Sequence, residues 1–199
     1  MRLAPVFVLS LAFAAPLGAR AEPPTRPESD WPCRQVKVAN LSLAAIWSGP
    51  PIDAAPRGND ADLVARLAAR RTPLEEAQKL VADFAQSAGA ARKERLGQLF
   101  AGVYDKLDRE RADVVAGLER YGRAQKDFAQ RLRDSTQKLR EAQDARRDPG
   151  EIQELSKALE WNLRMFEERR KATVYVCETP ALIEQRLGAL ARAIEAAME

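Results

Sequence analysis

The chain of 199 residues contains no histidine. That removes the commonest general base, the usual zinc ligand and any CxxCH haem attachment. No GxSxG elbow, P-loop, dinucleotide fingerprint or EF-hand loop occurs. Cysteine is scarce: Cys33 and Cys177 are the only two, too far apart for a CxxC redox motif. Excess charge of one sign is also lacking, with 32 Lys+Arg against 29 Asp+Glu. Loss of an N-terminal leader carrying Arg2 and Arg20 would leave 30 against 29. No concentrated basic face follows from such a balance, which argues against nucleic acid as a partner.

Long apolar runs are missing apart from Val6 to Ala15, which is too short to span a bilayer. With Arg2 before it and Ala19-Arg20-Ala21 after it, that run reads as a secretory signal peptide over residues 1–21. Cleavage near Ala21 would place the mature chain in the periplasm, with no membrane span. Cys33 is too far from the apolar run to be a lipoprotein anchor. Two cysteines in an exported chain predict one disulfide, Cys33–Cys177. By loop-closure entropy such a closure stabilises by roughly 5 kcal/mol.

What is present is helical period. Leu96, Phe100, Val103, Leu107, Val114, Leu118, Tyr121, Phe128, Leu132 and Leu139 are spaced by threes, fours or their sums. No proline interrupts Ala90 to Arg147, so one helix of roughly 85 Å is expected. Gly117 and Gly122 are its weak points, at about 1 kcal/mol each against Ala. Asp148-Pro149-Gly150 reads as a tight turn, with Gly150 permitting the reversed backbone. A second stripe follows through Ile152, Leu155, Leu159, Phe166, Thr173 and Val176. Folded about the turn, Ala142 should meet Leu155, Leu139 Leu159, Leu132 Phe166, and Tyr121 Val176. The expected arm covers about residues 121–176.

The near half of the long helix needs other cover. Thr72-Pro73-Leu74-Glu75 looks like a capping box opening a helix that runs to about Ser87. A shorter helix over Asp60 to Arg70 precedes it, with Leu63, Val64 and Leu67 inward. Thr179-Pro180 repeats the cap-then-proline signature, so a separate C-terminal helix is expected to start there. The fold class is therefore all-α: a small antiparallel helical bundle over residues 59–199 with a long projecting two-helix coiled-coil hairpin. Residues 22–58 form a Pro-rich leader and a hydrophobic strap. Within the strap, Val36/Val38 and Leu41/Leu43 alternate like a strand while Leu43, Ile46 and Trp47 fit a helical turn. Its tryptophans and aliphatics should mostly be buried.

Candidate functional residues are few. Trp31, Trp47, Tyr121 and Tyr175 could wall a pocket between strap and bundle. Trp161 and Met165 lie off the Leu159/Phe166 stripe, one turn apart, and suit a partner contact or dimer seam. Asp108, Glu110 and Asp113 sit beside Arg109 and Arg111, as on a solvated, ion-paired helix face. Asp144, Asp148, Glu151 and Glu154 crowd the hairpin tip in a spacing that fits no known cation loop. No cofactor is implied. In outline the expected fold resembles periplasmic holdase chaperones with tentacle-like arms, and outline does not determine function. The favoured expectation is an exported interaction protein without catalytic activity, a scaffold, adaptor or chaperone-like arm that binds another protein or itself. The alternative is a small-ligand or metal-binding module with its site between Trp31–Trp47 and the bundle.

Overall fold

The structure, a computed structural model, describes residues 29–52 and 60–199. The expected signal peptide and the leader prolines Pro23, Pro24 and Pro27 lie outside the described residues. Among the described residues every regular element is helical: α1 (Leu43–Ile46), α2 (Ala61–Ala68), α3 (Leu74–Ser87), α4 (Arg92–Asp144) and α5 (Pro149–Met198). A 3-10 turn over Gly89–Ala91, with Gly89 at φ +56°, joins α3 to α4. Positive φ there is the reversal that glycine adopts without steric cost.

α4 has 53 residues and spans about 80 Å. Leu96, Phe100, Val103, Leu107, Leu118, Phe128 and Leu132 are buried along it, following the apolar period. Val114 is only half-buried, and its neighbour Val115 is the buried one, because the strap passes over that flank. Neither Gly117 nor Gly122 interrupts the helix.

The reversal differs in place from the expected turn. Arg146, not Gly150, takes the left-handed conformation, at φ 48°. The Arg147 N–H donates to the Ala142 carbonyl at 3.0 Å and the Arg146 N–H to the Gln143 carbonyl at 3.0 Å, the paired closure of a helix C-terminus. Asp148 then begins α5 as its cap, accepting from the N–H groups of Gly150 (2.8 Å) and Glu151 (3.2 Å). Pro149 occupies the first helical position, where its missing N–H costs nothing.

α5 is also a correction. No helix boundary falls at Thr179-Pro180: one helix of 50 residues runs through Pro180. The returning helix is therefore about 75 Å long and accompanies α4 back into the base. Pro180 has no N–H for the Val176 carbonyl. That carbonyl belongs to an exposed residue, where water can satisfy it. The next carbonyl, of Cys177, accepts a hydrogen bond from the Gln35 side-chain amide. Phe166 packs edge-to-face on Phe128, with centroids 5.8 Å apart, one turn from the Leu132 expected opposite it. The Tyr121 hydroxyl donates to the Arg169 carbonyl at 2.7 Å and lies 3.1 Å from the Thr173 hydroxyl, rather than reaching Val176.

In the base, α2 and α3 close over the start of α4 and the end of α5. Phe100, Leu67, Leu96, Leu99, Leu107, Ile183, Leu187, Leu190 and Ile194 are almost wholly removed from water there. The expected capping box is absent: α3 starts at Leu74 with no side-chain cap. Pro73 is extended at ψ 148°, so the helix begins too late for Thr72 to reach its N–H groups. Thr72 is buried instead, and its carbonyl accepts from Arg186 at 3.0 Å. Arg186 also binds the Leu67 carbonyl at 2.7 Å, capping the end of α2. Burial holds the Arg186 guanidinium below its ordinary pKa, with Glu110 opposing that shift.

Candidate interaction surfaces

The strap, residues 29–52, runs antiparallel to α4 from the middle of the hairpin to the base. It enters where Gly122 has no side chain: a Cβ there would sit 1.8 Å from the Asp30 carbonyl oxygen. The Asp30 carboxylate pairs with Arg123 at 3.0 Å and Lys126 at 3.4 Å. Cys33 then bonds Cys177, Cα to Cα 5.6 Å. Lys37 pairs with Glu119. Arg111, only 3 % exposed, donates to the Val38 carbonyl (2.8 Å), the Ala39 carbonyl (3.4 Å) and Glu184 (2.6 Å). This one guanidinium thus joins strap, α4 and α5, and is not part of a solvated ion-paired face. Tyr104 donates to the Leu41 carbonyl at 3.1 Å. Burial first, and then Asp108, push its phenol above the ordinary pKa. Trp47 ends the path, stacked on Phe100 at 4.1 Å, with its indole N–H on the Pro50 carbonyl at 2.8 Å. Only Leu43–Ile46 of the strap is helical, and no strand forms. The alternating valines face water, Val36 86 % exposed, because the strap is held through its carbonyls rather than those side chains.

The four residues considered as pocket walls do not converge. Trp47 is filled into the base core. Tyr121 bonds across to α5, and Tyr175 is 75 % exposed. Trp31 is half-buried and borders two open clefts. One, of about 350 Å³, lies against Gly122, Gln125, Phe166 and Val174. The other, of about 190 Å³, lies against Val36, Arg111 and Pro180. The Trp31 indole N–H is already taken by the Gln35 carbonyl at 2.7 Å.

Among the described residues, the strap reaches no further than Lys126 on α4 and Phe166 on α5, and beyond them the hairpin is two helices thick. Phe128, Leu132 and Ala142 are buried between them. Arg131 and Arg169 lie over the Phe128 ring at 5.4 and 5.2 Å, shielding it from opposite helices. On this part Trp161 is 62 % exposed and Met165 half-buried.

Some of the acidic groups are ion-paired. Asp105 pairs with Arg109, and Glu151 with Arg147 at 2.9 Å. Among the described residues no group of three or more carboxylate or cysteine ligands converges. An open groove of about 640 Å³ between α2 and α4 is floored by Val64, Leu99 and Gly102 and rimmed by Asp105, Glu110 and Asp113. Arg111, Gly122 and Arg186 are the residues that sequence reasoning missed. A buried arginine has the same sequence signal as a solvated one on a charged helix.

No protein-family model matches the chain, and no curated protein or solved structure matches it either.

Proposed function

We propose that the protein is exported and acts without catalysis of its own, as a helical scaffold, adaptor or chaperone-like arm that binds another protein through the two-helix part of its hairpin. One observation carries the reading: a tryptophan 62 % exposed on a slender helical pair, with a methionine one turn away. Exposed Trp is the side chain that most often anchors a protein interface. The single disulfide supports an oxidising compartment, the periplasm being the one the leader suggests. A photoreactive phenylalanine analogue at position 161, irradiated in producing cells, is expected to crosslink one partner protein reproducibly. Trp161→Ala should abolish co-purification of that partner while leaving the thermal midpoint unchanged. Absence of any protein adduct at position 161 would sink the reading.

A further inference from the structure

Both long helices carry a helix-weakening residue at one level of the hairpin. On α5, Pro180 leaves the Val176 carbonyl without its helix donor. Two contacts bracket the matching level on α4. The Tyr121 hydroxyl lies 3.1 Å from the Thr173 hydroxyl, and Arg111 donates to Glu184 at 2.6 Å. Between them the antiparallel helices set Gly117 opposite residues 177–178, inside the turn from Val176 to Pro180. After proline, glycine is the residue a helix interior tolerates least. No close approach demands it at this position, since a Cβ there would meet only the tip of Arg120, at 3.7 Å.

This level lies between base and arm. Along the two long helices the fully buried base core ends at Leu107 and Ile183, with Val114 on its edge. Beyond it the strap lies on the hairpin, from a cleft beside Arg111 and Glu184 to a cleft beside Lys126 and Phe166. Its grip differs on the two sides. Towards the base, Arg111 holds the Val38 and Ala39 carbonyls, Tyr104 holds that of Leu41, and Trp47 is stacked in the core. Towards the arm, Asp30 pairs with Arg123 and Lys126 at the surface, where ion pairs hold weakly. The Cys33–Cys177 bond sits at the level itself, with Gln35 donating to the Cys177 carbonyl.

We propose that the Gly117–Pro180 level is a hinge, that the strap is its splint, and that the Cys33–Cys177 bond is a latch opened by a dithiol. Cys33 is half-buried and Cys177 buried, so the dithiol's thiolate attacks the Cys33 sulfur. The bond between the cysteines breaks, and Cys177 leaves as a thiolate and takes a proton. The dithiol's second thiolate then displaces Cys33 from the mixed disulfide. Two electrons pass to the cysteine pair, and the dithiol ends as a disulfide. The arm-side end of the strap is then left with surface ion pairs and lifts, while the base keeps its hold on Val38 to Trp47. A bend of about 20° moves the hairpin tip, about 40 Å beyond Gly117, by about 14 Å. The hinge does not depend on what the arm binds.

The test is backbone residual dipolar couplings on the full chain, fitted separately for the base (residues 92–112 and 184–198) and the arm (residues 126–166). In the oxidised protein one alignment tensor should fit both parts. After dithiothreitol, and in Cys33→Ser/Cys177→Ser, the two tensors should part, one falling by about a tenth or more for a swing of about 20°. Adding Gly117→Ala/Pro180→Ala to the serine variant should restore a single tensor, because both helices regain ordinary interiors. Tensors that already differ in the oxidised protein, that stay equal after reduction, or that the two alanines do not reunite overturn the hinge. Loss of the helical circular-dichroism signal on reduction overturns it too, since a latch opens without unfolding the base.

Discussion

Gly117 and Gly122 are five residues apart on α4, and the structure gives their alanine variants opposite signs. A Cβ at Gly117 meets nothing closer than the tip of Arg120, at 3.7 Å. Gly117→Ala should therefore show the ordinary helix gain of about 0.8–1 kcal/mol. A Cβ at Gly122 would stand 1.8 Å from the Asp30 carbonyl oxygen, 3.0 Å from its carbon and 3.2 Å from the Pro32 ring. Ordinary contact begins near 3.4 Å, so the strap must retreat by about 1.5 Å. It has little freedom to do so, because Cys33 is tied to Cys177 three residues further on. Overpacking of this kind costs about 1–3 kcal/mol. Retreat also weakens the Asp30 pairs with Arg123 and Lys126, each worth under about 1 kcal/mol at this exposure. After the helix gain is subtracted, Gly122→Ala should be destabilised by about 1–2 kcal/mol. The two variants should then differ by about 2–3 kcal/mol in urea melts, or roughly 5–10 °C in midpoint for a chain of this size. In a Cys33→Ser/Cys177→Ser background the strap can lift away, and the Gly122→Ala penalty should shrink towards zero. Equal stabilisation by both alanines in the oxidised protein would refute the placement of the strap over Gly122.

Other outcomes follow from the same anchors. Arg111→Met should cost about 2–4 kcal/mol, below the full range for breaking a buried ion pair, because Glu184 and the freed strap carbonyls can reach water; proteolysis near Val38 should rise with it. Tyr104 has its folded pKa raised above 10.0, so its contribution is fully present below pH 10 and is lost as the pH climbs through the folded value. Tyr104→Phe should cost about 1 kcal/mol at neutral pH through the Leu41 hydrogen bond and should flatten the alkaline limb of the stability profile. Reducing the disulfide should lower stability by at most about 5 kcal/mol and speed hydrogen exchange of the amides around residues 176–181 more than at the hairpin tip.

The long helix α4 was legible because its signal is local and redundant. Leu96 to Leu132 repeat a helical period over many turns, so tertiary context had little to overrule. The disulfide was legible for a different reason, since two cysteines allow one pairing. The strap's path was not legible. Val36 and Val38 alternate as a half-buried strand would, and the structure exposes both, because Arg111 and Tyr104 grip the carbonyls of Val38, Ala39 and Leu41. Carbonyls are present at every residue, so a segment bound through them carries no side-chain code. For the same reason Arg111 reads as one more solvated cation. Of the candidate surfaces, Trp161 was visible as an aromatic off the apolar stripe. Which of the arginines near it are ion-paired was not, because pairings such as Arg164–Glu160 are permitted by sequence spacing without being selected.

Pro180 shows how one such long-range contact changes an element boundary. Taken alone, Thr179-Pro180 ends one helix and starts another, and an interior proline costs about 3 kcal/mol. Here the Val176 carbonyl is left to water, and the strap braces the helix at the next residue. Gln35 donates to the Cys177 carbonyl, and Cys33 fixes the backbone of Cys177 against the same turn. The proline ring is buried, beside Trp31, Val38 and Val115, so it contributes apolar contact where the N–H is missing. The continuity of α5 and the docking of the strap are therefore coupled in one structural unit. The stiffness of the hairpin that carries Trp161 outward depends on that coupling, since a hinge at Pro180 would let the arm swing relative to the base.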